Sequence, residues 1–174
     1  ILLCGGGGHP DSVESYSLNV LSTTIDNQPI NYEGFKMDGD ERDHPAMHQG
    51  VSINENNIFI GGTSNFDYYN PFLSNKDSWY HLVKINPDIM PIWEYWYGGD
   101  AYYHLYSILA TNDGGCLLVG NRYDDQVQYM ERDIYIVKVD SEGLITWENE
   151  YKLESEILKL YPVPAFNNIT IEYN

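Results

Sequence analysis

Residues recur in this chain at one fixed distance. Lys84 and Lys138, Trp93 and Trp147, Glu94 and Glu148, and Tyr97 and Tyr151 each stand 54 positions apart. A constant offset across such different residue types does not arise from composition, and it marks a chain assembled from similar units. Ahead of these pairs lie Ile58-Phe59-Ile60-Gly61-Gly62 and Cys116-Leu117-Leu118-Val119-Gly120, two short apolar runs that end in glycine. Each follows a polar turn, Asn54-Glu55-Asn56-Asn57 or Asn112-Asp113-Gly114-Gly115. Asp-Gly between apolar runs is a hairpin signal, because a tight hairpin turn needs positive φ.

A weaker third copy fills the N-terminus. Ile1-Leu2-Leu3-Cys4-Gly5 matches Cys116 to Gly120, and Tyr16-Ser17-Leu18-Asn19-Val20 takes the place of Tyr135-Ile136-Val137-Lys138-Val139. Each unit is about 55 residues long with four predicted strands; in the last unit they cover 105–111, 116–121, 134–140 and 144–151. Four antiparallel strands joined by short turns make one blade of a β-propeller. A blade with two apolar faces needs a neighbour on each side, which explains why 116–119 is continuously apolar rather than alternating. The fold class is therefore all-β. The reading is a β-propeller fragment of about two complete blades and part of a third, with units near 1–47, 48–103 and 104–151. The alternative is a β-sandwich with similar hairpins. A closed propeller takes about four to eight blades, so the remainder is expected from residues outside this chain, and the piece alone is expected to be marginal with an open edge.

Composition agrees. Tyrosine supplies 16 of the 25 aromatic residues, and its ring packs on a pleated surface while its hydroxyl stays wet. A net charge of −17 argues against nucleic acid and against anionic lipid as partners. No apolar run approaches the ~20 residues of a membrane-spanning helix.

Two stretches resemble known families. Trp93-Glu94-Tyr95-Trp96-Tyr97-Gly98-Gly99-Asp100, then Ser107 through Gly115, then Asp133 through Gly143 with Trp147, resemble the β-propeller repeats of secreted Bacteroidetes proteins. In that family a Trp and a Gly-Gly pair close one blade, and an Asp-Gly-Gly turn opens the next. The likeness covers most of residues 48–151. At the C-terminus, 158–165 followed by Asn168-Ile169-Thr170-Ile171 is similar to the opening of a type IX secretion system C-terminal sorting domain, a β-sandwich. Tyr161, Pro162, Pro164 and Ala165 match the family pattern Tyr-Pro-Asn-Pro-Ala, and Val163 replaces its Asn. Residues 152–157 then read as a linker and 158–174 as the start of the sorting domain. Both ends look like cuts in a longer chain.

These resemblances imply a secreted or outer-membrane surface-attached binding or scaffold protein. Its partner in export would be the type IX secretion machinery, and its ligand a glycan or a protein. The alternative is an accessory or catalytic propeller of a secreted hydrolase acting on polysaccharide or peptide.

No catalytic residue and no cofactor is assigned. Cys4 and Cys116 fall on equivalent strands of non-adjacent units and are expected as buried free thiols. His9, His44, His48, His81 and His104 lack metal-ligand spacing. The acidic stretch Asp38-Gly39-Asp40-Glu41-Arg42-Asp43 has oxygen ligands but no EF-hand spacing, so no calcium site is claimed. Lys84, Lys138, Trp93 and Trp147 read as structural. The candidate ligand-contacting loop is Phe66, Tyr68, Tyr69 and Phe72, aromatics set among Asn65, Asp67 and Asn70.

Overall fold

The computed structural model describes residues 1–9, 12–36, 42–126, 132–146, 159–161 and 170–172. Among them the chain forms β-strands and no helix. Strands β1 (Leu2–His9), β2 (Ser12–Thr23) and β3 (Pro29–Phe35) pair antiparallel in that order. The second sheet holds β4 (His44–Pro45), β5 (Val51–Asn54), β6 (Asn57–Ser64), β7 (Trp79–Ile85) and β8 (Pro91–Gly98). It is a meander β5-β6-β7-β8, with β4 pairing to the far half of β6. The third sheet holds β9 (Tyr102–Ala110), β10 (Cys116–Tyr123) and β11 (Arg132–Val139). A fourth line begins where Ile145 bridges Val139. The last pair is β12 (Lys159–Tyr161) with β13 (Thr170–Glu172). Trp147, Glu148, Tyr151 and the linker 152–157 lie outside the described residues.

The 54-residue repeat is present in the backbone. Asn86 N donates to Met90 O at 3.0 Å, and Asp140 N donates to Leu144 O at 2.9 Å. Asn86 Oδ1 accepts from the amides of Asp88 and Met90, and Asp140 Oδ1 from those of Glu142 and Leu144. Each side chain closes the turn that carries its strand into the next. Ile89 and Gly143 take positive φ at the same place, 59° and 84°. Isoleucine tolerates it because its side chain is buried against the first sheet, so packing outweighs local preference.

The second sheet is apolar on both faces. Leu18, Val20 and Phe35 of the first sheet bury against Ile58, Ile60, Val83 and Ile85 of the second. The opposite face of the second sheet, with Phe59, Tyr80, Leu82 and Tyr97, buries against Ile108, Cys116, Leu118, Val137 and Val139 of the third. Burying each such side chain stabilises the stack by about 1.5–3 kcal/mol. Tyr80 and Tyr97 carry polar tips into this seam and satisfy them: the Tyr80 hydroxyl donates to Tyr135 O at 3.1 Å, and the Tyr97 hydroxyl donates to Gly143 O at 2.8 Å. From the second sheet's outer edge, Lys84 Nζ and Trp93 Nε1 both donate to Ser141 O. Lys138 instead pairs with Asp113 Oδ2 at 2.7 Å, so the two recurrent lysines serve different ends. Both cysteines are free, with Cys116 buried and Cys4 only partly so.

The expected alignment of the first copy needs one correction. Gly5 pairs with Asn19, Gly62 with His81 and Gly120 with Tyr135. Asn19, not Tyr16, is therefore the counterpart of Tyr135. The assumed register of β2 is off by three residues, an odd number that exchanges the two faces. Leu18 and Val20 accordingly face forward like Tyr80 and Leu82, whereas Val137 and Val139 face back. Matching by apolar character missed this because both faces are apolar. Among the described residues β1, the counterpart of β6 and β10, pairs with β2 alone.

A Cβ at Gly143 would lie 2.5 Å from a ring carbon of Tyr95, at a φ that side chains rarely adopt. Gly143→Ala is expected to lower stability by about 1–3 kcal/mol. Urea unfolding should record a lower midpoint with an unchanged slope.

Candidate functional site

The chain entering the second sheet buries an acid. Asp43 N donates to Tyr16 O at 3.0 Å, which ties this entry segment to the first sheet. The Asp43 side chain then meets His81, in the middle of β7: His81 Nδ1 lies 3.1 Å from Asp43 Oδ2, and His81 Nε2 lies 2.7 Å from Glu94 Oε1 on β8. Both His81 and Asp43 are fully buried. The imidazole stacks on Trp96, its cross-strand neighbour, with centroids 5.0 Å apart. Burial opposes a charge on His81, but the hydrogen bonds and charges of Asp43 and Glu94 outweigh it and raise its pKa above the ordinary histidine value. With a carboxylate on each nitrogen, the ring has no lone pair free for a substrate. The cluster is a clamp between the entry segment and β7–β8. In the sequence Asp43 is the last residue of the acidic stretch weighed above for calcium; of that stretch, 38–41 lie outside the described residues. The available signal was a histidine inside an apolar run with a glutamate on the partner strand.

The candidate aromatic loop sits beside this clamp and divides in two. Phe66 is buried under the loop, stacked on His44 at 4.5 Å and edge-on to Tyr68. It offers no surface to a ligand. Tyr68 is half-exposed and donates its hydroxyl to Asp43 O at 3.1 Å. Phe72 is partly exposed over His104, and Tyr69 is 93% exposed. Asp67 organises the loop: Oδ1 accepts from the Tyr69 and Asn70 amides, and Oδ2 from Ser74 Oγ at 2.7 Å. Burial disfavours its charge, yet these hydrogen bonds and Lys76 hold its carboxyl below the ordinary range.

His104, on β9, is buried among Phe66, Phe72, Tyr102 and Tyr106. Neither ring nitrogen has a hydrogen-bond partner among the described residues. Burial, followed by the charges of His44 and Arg132, pushes its pKa down to about 4.

The third sheet's forward face carries an open groove of about 460 Å³, lined by Tyr106, Val119, Gly120, Asn121, Arg132, Asp133 and Ile134. Among the described residues no group of three or more His, Cys, Asp or Glu is placed to hold a metal ion. Of the sorting-motif residues, Tyr161 ends β12, and Pro162, Pro164 and Ala165 lie outside the described residues. No family model and no curated protein matches this chain.

The two buried histidines titrate in opposite senses. His104 has a lowered folded pKa, so between about pH 4 and ~6.5 the unfolded chain binds the extra proton and stability rises with pH. His81 has a raised folded pKa, so its contribution is complete below ~6.5 and is lost as pH climbs through the folded value. A pH series of urea unfolding should therefore peak near ~6.5. His104→Phe should flatten the acid arm. His81→Gln should flatten the alkaline arm and cost about 3–5 kcal/mol at pH 6, since it breaks a buried ionic cluster.

Proposed function

We propose that this chain is a run of consecutive β-propeller blades forming a binding or scaffold module, exported by a type IX secretion system to the cell surface or medium. One observation carries the propeller half. The outer faces of the stack expose the register counterparts of its own buried seams. Ile134 and Ile136 are 80% and 57% exposed, while their counterparts Tyr80 and Leu82 in the second sheet are fully buried. On the opposite end Leu3 is 50% exposed, and its counterpart Ile60 is fully buried.

The groove on the third sheet fits the same reading. Its positions correspond to Gly61, Gly62, Thr63, Ser78, Trp79 and Tyr80 of the second sheet. There the incoming segment of the next sheet fills the space: Ser78 Oγ donates to Tyr103 O, Tyr103 N donates back to Ser78 Oγ, and Leu105 N donates to Thr63 Oγ1. The groove is accordingly a seam for another sheet rather than a small-molecule pocket. Contiguous apolar surface of this kind marks a contact site.

Ligand binding falls to the loop rim, where Tyr69 and Phe72 offer aromatic surface beside Asn70. The hydrolase alternative would need carboxylates converging on an open cavity. Buried Asp43 and partly exposed Glu94 clamp a histidine instead. The export half rests on the sequence motif, supported by Tyr161 closing a strand that pairs with Thr170–Glu172.

Two measurements test the halves separately. Ile134→Lys with Ile136→Lys should reduce apolar-dye binding and self-association with stability changed by less than about 1 kcal/mol. Leu82→Lys should unfold the chain. Equal effects at the exposed and buried counterparts would refute the stacked-blade reading. In a type IX-competent bacterium expressing the parent protein, Tyr161→Ala with Pro162→Ala should leave it unexported, and undiminished surface display would refute the export half.

A further inference from the structure

His44 and His104 stand at the same place in neighbouring sheets. His44 pairs with Thr63 and His104 with Asn121, each one residue past the glycine that ends its apolar run. His44 is half-buried, and its Nδ1 lies 2.7 Å from the carbonyl oxygen of Pro45. His104 is 1% exposed, and both its ring nitrogens are sealed from solvent without a hydrogen-bond partner. The repeated sheet does not demand that state, since the counterpart avoids it. No group from outside reaches these nitrogens while their cover stays in place.

The cover comes from the loop between β6 and β7. Its base is pinned. Asn65, at φ 57°, donates from Nδ2 to Asp77 O at 2.7 Å, and Phe66 packs with Tyr102 and Tyr123. Its tip closes on itself, with Asn70 Nδ2 donating to Leu73 O at 2.6 Å. Phe72 seats that tip on the body. Its ring centre lies 5.9 Å from that of His104 and 5.2 Å from the Arg132 guanidinium.

A proton on His104 meets no opposite charge. His44 on β4 and Arg132 on β11 face the ring with charges that oppose it. Tyr102 and Tyr106, on its own strand, offer rings, and the cross-strand Asn121 carries no charge. In the loop, Asp67 commits its carboxylate to the Tyr69 and Asn70 amides and to Ser74, with Lys76 nearby. Burial and the two cations hold the proton off until about pH 4, whereas hydrated imidazole takes it near ~6.5.

We infer that the loop tip, residues 70–73, is an acid-released lid: protonation of His104 lifts Phe72 off the imidazole, lets water reach the charged ring and moves the aromatic rim. The step carries one proton from solvent to a ring nitrogen and breaks no covalent bond. Only the open form takes the proton readily, so its ratio to the closed form rises about tenfold per pH unit below ~6.5. The inference stands on the packing of this loop, not on ring closure, export or a bound ligand.

Fluorine NMR of the intact chain, labelled with 4-fluorophenylalanine at its five phenylalanines, tests it. Phe72→Leu assigns the resonance. Between pH ~6.5 and ~5 the open-to-closed ratio read from Phe72 should grow about thirtyfold. Phe59, fully buried in the seam between the second and third sheets, should keep its position. His104→Phe and His104→Gln should each hold Phe72 still, and either serves where Phe59 reports a folded chain. A Phe72 resonance that does not respond to acid, or that moves as far in a folded His104 variant, overturns the proposal. So does Phe59 moving in step with Phe72, because acid would then be unfolding the whole chain.

Discussion

The second sheet of this protein is apolar on both faces, and it cannot bury both by itself. The rest of the architecture follows from that constraint. An antiparallel sheet with one wet face would alternate polar and apolar residues. Here Phe59, Tyr80 and Leu82 turn one way while Ile58, Ile60 and Val83 turn the other, and all are buried. Stacking is the only arrangement that removes both faces from water, and it needs no long-range topology beyond a repeated meander. The same constraint explains why the two ends of the stack present isoleucine and leucine to solvent.

Polar groups fix how the sheets meet. Apolar area alone would let one sheet slide over the next. The hydroxyls of Tyr80 and Tyr97, the indole of Trp93 and the hydroxyl of Ser78 each reach a backbone group of the following sheet. The His81 clamp acts at the other seam, holding the entry segment that is itself tied to Tyr16. A buried ionic cluster adds little net stability over an apolar replacement, but breaking it is costly. Its effect here is to tie one entry path to one place on β7 and β8.

Some features were legible in particular residues. The offset that joins Lys84 to Lys138 reappears as two identical turns, because Asn86 and Asp140 close the same backbone ring with the same side-chain oxygen. The glycine-ended runs mark β6 and β10, the second strands of their meanders, and β1, which pairs with β2. The register of β2 was not legible. Alternation carries no phase when both faces are apolar, so a three-residue slip left the pattern intact. The fate of Asp43 was hidden too, because an acidic stretch looks exposed until a buried histidine is seen to receive it. The aromatic loop was read as one surface, yet its Phe66 packs inward while Tyr69 faces solvent.

The amino-acid sequence by itself determined the strand class, the unit length and the turns, because these depend on local periodicity and on side chains bonding their own backbone. Tertiary structure decided which face of each strand looks forward and which carboxylates share a histidine. Those outcomes depend on residues far apart in the chain arriving at one place, and no local pattern encodes that meeting.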